Sequence, residues 1–484
     1  MAAPGSDVFF SSIPELNARL VKKEFSVEEL TRAFAERLEQ LGPRYNALAL
    51  SLKEQALRQS HAVDKDFKSD RLRGPLQGVP YAVKDLLSYA GLPTTWGARP
   101  YAKQVFDFNA TVIEKLNGVG AVITGKLSMV ELAGGGGYRS TAASLFGPGL
   151  NPWDRTRWSG GSSSGPAAAV AAGLVPFAIG SETSGSIVTP AAFCGVTALR
   201  PTYGLVSRHG AMALSWTLDK LGPFARSAED CGLILHVIAG KDSEDPGSAG
   251  RSFYYTPQYA RPLSELRIGF AAASFADGAE AAARPAFAAA LDTLKACGVK
   301  LVEAALPGFP YGSALSTILG AEQASIFETF ITSGSVDQLA DPAQIAGLKA
   351  SLEIPARDYL KAMRIRRMMQ DAIQRMWGDL DAVIAPARSG IAPKVDQPLS
   401  PPPAAPGSAP RSAPKDAVHT GFDSIIPAGN LAGLPALVLP CGFADNLPVA
   451  VQLVGPPWSE NTLIAVGKEF QTRTDWHKRK PPEQ

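Results

Sequence analysis

The chain has 484 residues, 45% of them hydrophobic and 19% charged, with a formal net charge of +2. That length and apolar share suffice for a large core. No clustered basic face marks a phosphate-binding surface, so no nucleic-acid partner is expected. Cys194, Cys231, Cys297 and Cys441 are far apart and form no CxxC pair, and the five histidines are scattered. A disulfide framework is therefore not expected, nor a metal or other cofactor. Residues 1–12 lack a basic flank followed by an apolar core, and the apolar stretches are cut by Gly, Pro or charge. No membrane span and a cytoplasmic location are expected.

Residues 14–41 read as two helices. Ser26 with Glu29 forms a capping box, Leu30, Phe34 and Leu38 follow at helical spacing, and Gly42-Pro43 ends the second helix. Gly78 to Asp85 reads as a turn into a short buried strand. A helix at 110–118 and a strand at 121–124 follow. The chain is then rich in Gly and Ser from 134 to 165, runs as an alanine helix at 167–172, and re-enters strand at 175–179. That strand empties into the small-residue turn Gly180–Ser186, where α/β proteins tend to place ligand chemistry. Beyond 240 come a strand at 266–270, helices at 279–297, 315–333 and 356–377, and a strand at 381–386. The Pro-, Ala- and Ser-rich stretch 397–414 reads as a long surface loop. Strands at 436–439 and 449–454 rejoin the first sheet. The pattern predicts one α/β domain over 1–484 with a variable helical cap within about 240–425.

Two Gly/Ser turns carry the chemistry. Gly160-Gly161-Ser162-Ser163-Ser164-Gly165 precedes a helix and could present amides to an anion, but no Gly-Lys-Ser/Thr follows, so it is not a nucleotide loop. In the second turn, successive N–H groups around Ser186 can point at one spot, as an oxyanion hole requires. A serine nucleophile needs a base. No histidine lies in either turn, although a distant one is not excluded by sequence alone. Lys84 is the other candidate, because a lysine in an apolar strand loses part of its preference for the charged form.

The ordered set of Lys84, Gly160–Gly165 and Gly180–Ser186 resembles the amidase signature family. The likeness extends through Ile187, Pro190 to Gly195, Asn151 to Asp154 and Asn430 to Ala436. The spacing fits as well: 78 residues separate Lys84 from Ser162, and 24 more lead to Ser186. The resemblance implies an amidase-signature fold, with a central mixed sheet covered by helices on both faces, and an acyl-enzyme on Ser186. It implies that Ser162, after a cis peptide bond, relays the proton to Lys84. The N–H groups of Thr183, Ser184, Gly185 and Ser186 would hold the oxyanion, with Ser163 and Glu182 in support. Gly134, Gly135, Gly136, Phe327 and Tyr359 are candidate substrate contacts.

Two residues depart from the usual family turn. Glu182 replaces an aspartate, and Ser184 replaces a glycine. The expected activity is hydrolysis of a small aryl or alkyl amide, with esters or carbamates as side substrates, by a chain that could pair as a homodimer. A rival reading is the glutamine-hydrolysing subunit of a tRNA-dependent amidotransferase. A rival of another class is a non-catalytic amidase-like binding scaffold.

Overall fold

The computed structural model describes residues 4–399 and 421–482. Most of the stretch expected as a surface loop, residues 400–414, lies outside the described residues. The first two helices are Ile13–Val21 and Val27–Leu41. Both begin with a capping box, Ser12 with Glu15 and Ser26 with Glu29, in which each serine accepts from the third helical amide and the glutamate reaches back.

The strands in chain order are β1 (Leu48–Ser51), β2 (Pro80–Lys84), β3 (Val122–Leu127), β4 (Leu150–Asn151), β5 (Asp154–Trp158), β6 (Phe177–Glu182), β7 (Thr197–Arg200), β8 (Lys220–Ala225), β9 (Arg267–Phe270), β10 (Lys300–Glu303), β11 (Ala382–Pro386), β12 (Ala436–Ala444) and β13 (Leu447–Val454). Eleven of them form one sheet in the order β1-β3-β2-β6-β8-β7-β12-β13-β11-β9-β10, and β4 pairs with β5. Strand β2 runs parallel to β3 and β6, whereas β8 is antiparallel to β6 and β7. The sheet is therefore mixed, and the C-terminal hairpin joins it through β12 and β7, as the sequence predicts.

Alternation along the central strands assigns the two faces. Tyr81, Val83, Phe177, Ile179 and Leu199 pack into one core, with Phe34, Ile234 and Phe470 from covering helices. Ala82, Ala178, Ala198 and Val438 point into the other. Small side chains on that second face let the alanine-rich helix Ser164–Ala171 and the helix Val188–Cys194 sit close to the sheet. Both helices follow the Gly/Ser turns, so the face with the shortest side chains carries the site.

Some boundaries differ from the sequence reading. Pairing with β8 continues from Ala178 to Glu182, so Gly180–Glu182 is strand and the turn starts at Thr183. The helix expected from 279 starts at Arg284, where Pro285 fits the first turn. The one expected at 315–333 divides into Tyr311–Ile326 and Glu328–Thr332. With Pro342–Ser351 and Ala356–Met376 these form the helical insertion. All four cysteines are free and buried. Among the described residues no helix is long and apolar enough to cross a membrane.

Candidate active site

Lys84 ends β2 and is fully buried. Its Nζ lies 2.7 Å from Ser162 Oγ, 3.1 Å from Ser163 Oγ and 2.9 Å from Ser181 Oγ. Among the described residues no carboxylate pairs with it. Desolvation lowers its pKa to about 7, against a weaker upward pull from Asp219 and Glu182. A neutral amine has two N–H donors and one lone pair, so three hydroxyl neighbours require one of them to donate to it. Ser163 Oγ also lies 3.1 Å from Ser181 O, the acceptor for its single proton. The donor to the lysine is then Ser162 or Ser181. Ser162 follows a cis peptide bond with Gly161.

Ser186 is buried, and its hydroxyl makes no hydrogen bond to a described residue. The structure thus brings Lys84, Ser162 and Ser163 into one cluster and sets Ser186 at the far end of the turn that begins beside Ser181. The backbone N–H groups of Thr183, Ser184, Gly185 and Ser186 donate to no described acceptor. The next two amides are taken: Ile187 N and Val188 N donate to Glu182 Oε2 at 2.8 and 3.0 Å. Glu182 Oε1 accepts from Arg200 at 2.7 Å and from Asn430 at 2.8 Å. Burial alone would raise the pKa of Glu182, but Arg200 and the donated hydrogen bonds hold it at about 2. This carboxylate ties the turn to β7 and to the helix Ile425–Leu431. The turn is held from its other side by Thr183 Oγ1, which donates to Asp219 at 2.6 Å.

The two departures from the family turn have local accounts. Glu182 spans four donors from three parts of the chain. Ser184 is not among the residues with left-handed backbone, whereas Gly185 has φ +84°. A side chain is therefore allowed at 184, and glycine is favoured at 185.

Sequence reasoning misses Ser181, Arg200 and Asp219. Ser181 lies within the quoted turn, and parallel pairing of β2 with β6 is the signal that could bring it to Lys84. Arg200 and Asp219 reach the site only through the sheet, and no local pattern signals them.

Two cavities flank the turn. One, of about 440 Å³, is lined by Ser181 and Thr183 together with Met212, Leu214, Trp216 and Leu221. The other, of about 330 Å³, is lined by Ala387, Arg388, Asp423, Ile426 and Gln452 among others. It adjoins the turn through Ile426, whose Cγ2 lies 3.3 Å from where a Cβ on Gly185 would stand. Of the expected substrate contacts, Gly136 packs against the helix Pro342–Ser351, so that a Cβ there would meet Gln344 O at 2.3 Å. Gly134 and Gly135 flank it, next to Tyr138 and Leu214. Phe327 packs against Trp96 and Phe330, and Tyr359 donates to Glu322 at 3.1 Å. None of these five lines either cavity. Among the described residues, no group of three or more His, Cys, Asp or Glu could hold a metal.

Comparison with known proteins places the chain. A family model described as Amidase matches residues 29–464. The glutamyl-tRNA(Gln) amidotransferase A subunit from Carboxydothermus hydrogenoformans is 34% identical, covering 98% of this chain and 99% of that protein. The native peptide amidase of Stenotrophomonas maltophilia superposes with a TM-score of 0.81 at 30% identity, covering 98% of each chain. The Thermotoga maritima glutamyl-tRNA(Gln) amidotransferase A subunit gives 0.77 at 28%, covering 98% of this chain and 97% of that one. These relatives correct one expectation. The expected absence of a nucleic-acid partner rests on a net charge of +2 and scattered basic residues. Surface charge of one chain does not report what an assembly containing it binds, and the amidotransferase relatives are named for a tRNA substrate. With the family model spanning most of the sequence and the relatives aligned end to end, the chain belongs to the amidase signature family, hydrolases of carbon–nitrogen amide bonds.

Proposed function

We propose that this chain hydrolyses the side-chain amide of glutamine as the glutaminase subunit of a tRNA-dependent amidotransferase. The observation that carries this reading is the end-to-end similarity, 34–36% over 97–98% of the chain, to the A subunits of such enzymes. The polar cavity beside Gly185 agrees with it. Arg388 and Asp423 on its walls offer opposite charges to a small zwitterion.

In the mechanism we assign, Ser186 attacks the carboxamide carbon. Its proton passes to Ser162 Oγ as the Ser162 proton moves to neutral Lys84. The tetrahedral oxyanion is held by the N–H groups of Thr183 to Ser186, which have no competing acceptor among the described residues. The proton then returns along the same route to the departing ammonia, leaving an acyl-enzyme on Ser186. Water, deprotonated through the same relay, releases the acid. Ser163 and Ser181 orient the amine, and Glu182 fixes the turn. The test is release of glutamate and ammonia from glutamine by purified protein, with and without a copurified partner and tRNA. Turnover of glutamine, raised by the partner, is the expected result; turnover of other amides without glutaminase activity overturns the reading.

A second reading has its own support. The 440 Å³ cavity reached from Thr183 has Met212, Leu214 and Leu221 on its wall, beside Arg208, Asp219 and Asp245, and its apolar side suits an aryl or alkyl group. The superposition on the peptide amidase, at 0.81, is also closer than the 0.77 on the Thermotoga maritima protein. A stand-alone amidase would hydrolyse an apolar amide at full rate with no partner. Esters or carbamates would be side substrates, because the same attack serves all three.

A further inference from the structure

The cavity beside Gly185 is lined by two polar groups that lack a full set of partners among the described residues. Arg388 follows β11, and its guanidinium makes no hydrogen bond or ion pair with any described residue. The charged or ionisable groups it feels are Tyr138 and Glu280, and desolvation by surrounding protein holds its pKa below the usual arginine value. Gln452, on β13, is fully buried on the wall of the same cavity. Its Nε2 donates to Pro386 O at 3.2 Å, but its Oε1 accepts from no described residue. Gln452 Oε1, buried and without a partner among the described residues, forfeits the energy of a hydrogen bond, whereas the Arg388 guanidinium is open to solvent and ready to bind from it. Both line one cavity, a charged donor together with an acceptor.

We propose that Arg388 selects substrates that carry a carboxylate on the acyl side of the amide, and that Gln452 Oε1 accepts an N–H from the same molecule. A guanidinium presents a planar fork that matches a carboxylate with two parallel hydrogen bonds. A multiply charged anion such as phosphate is disfavoured, because Asp423 lines the same space and is fixed there by Ser274 Oγ at 2.9 Å. Ala387 and Ile426, on the cavity wall, belong to the apolar cluster that holds Ile187 and Val188, the two residues after Ser186. A molecule clasped by Arg388 therefore shares a cavity with Ile426, which reaches the turn at Gly185. The inference deepens the glutaminase reading and rests on it for the identity of the amide, but its test separates the two.

The experiment compares glutamine, succinamate and butyramide on wild-type protein, Arg388→Ala and Arg388→Lys. Succinamate carries the carboxylate that butyramide lacks. Arg388→Ala should raise KM for glutamine and succinamate about 10- to 100-fold, as loss of a charge-assisted hydrogen bond does, with kcat little changed. Butyramide turnover should stay within about twofold. Arg388→Lys should recover part of the loss, because it keeps the charge but not the fork. Equal losses on all three substrates would overturn the proposal, and so would glutamine turnover that ignores the substitution. Arg388-dependent turnover of succinamate without any of glutamine would retain the carboxylate site and retire the glutaminase reading.

Discussion

Lys84 and Lys126 lie on neighbouring parallel strands, both fully buried, and only Lys126 is paired with a described carboxylate. Lys126 Nζ is 2.7 Å from Asp85 Oδ1, with Pro93 O at 2.9 Å and Thr94 Oγ1 at 2.5 Å. Lys84 has three hydroxyls and, among the described residues, no anion in contact. Desolvation lowers both pKa values, but Asp85 pulls that of Lys126 back up, whereas that of Lys84 falls to about 7. Burial alone does not bring a lysine's pKa to neutrality. Withholding the counter-ion does, and hydroxyl partners keep the amine hydrogen-bonded in either protonation state.

The comparison breaks most visibly in turnover. Ser186→Ala and Lys84→Met should each reduce kcat by about 10³-fold or more, the scale found when a nucleophile or its base is removed. Steady-state amide hydrolysis checks this, and a variant that keeps wild-type turnover refutes the assigned role. Stability should split the two lysines in the opposite sense. Lys126→Met strands Asp85 in the core and should cost about 3–5 kcal/mol in denaturant unfolding. Lys84→Met strands no charge. The pKa of Lys84 is depressed on folding from 10.5 to about 7, so its burial penalty is full below pH 7 and is relieved as pH rises toward 10.5. Lys84→Met should therefore melt above wild type at pH 6, with the gap closing by pH 10.

The pH profile sharpens the same contrast. The neutral amine is the reactive form, so kcat/KM should rise about tenfold per pH unit below the Lys84 pKa and level off above about 7. A flat profile between pH 5 and 8 would refute Lys84 as the base. The smallest effect belongs to Ser184→Gly, which restores the usual family residue where the backbone does not require it. It should lower stability by about 0.4–1 kcal/mol through chain entropy and leave kcat/KM nearly unchanged.

Legibility in the sequence tracks the range of the interactions. The Ser26–Glu29 capping box, the alanine helix after Ser162 and the strand leading to Ser186 follow from local spacing, and all are present. The fold and family are legible because Lys84, Ser162 and Ser186 stand in a recognisable order. The anchors are not. Asp219 meets Thr183 from 36 residues away, and Arg200 meets Glu182 across the sheet. Phe327 and Tyr359 read as pocket aromatics because composition cannot distinguish a wall from a core. Arg388 is invisible as a selector, since a lone arginine after a strand has no pattern until the cavity around it is seen.

The Glu182 anchor also sets a timetable for the protein's own synthesis. Lys84, Ser162 and Ser186, the three residues of the proposed triad, have all been made once residue 186 leaves the ribosome. Asn430, which donates to Glu182 across 248 positions, and Leu434 O, which accepts from Arg200 Nε, come from the last part of the chain. A nascent chain halted before them would hold the turn through Arg200 and Asp219 but without Asn430, and with Arg200 Nε lacking its acceptor. The support of this turn is thus completed by residues made 248 positions and more after Glu182, a dependence of the front half of the chain on its back half.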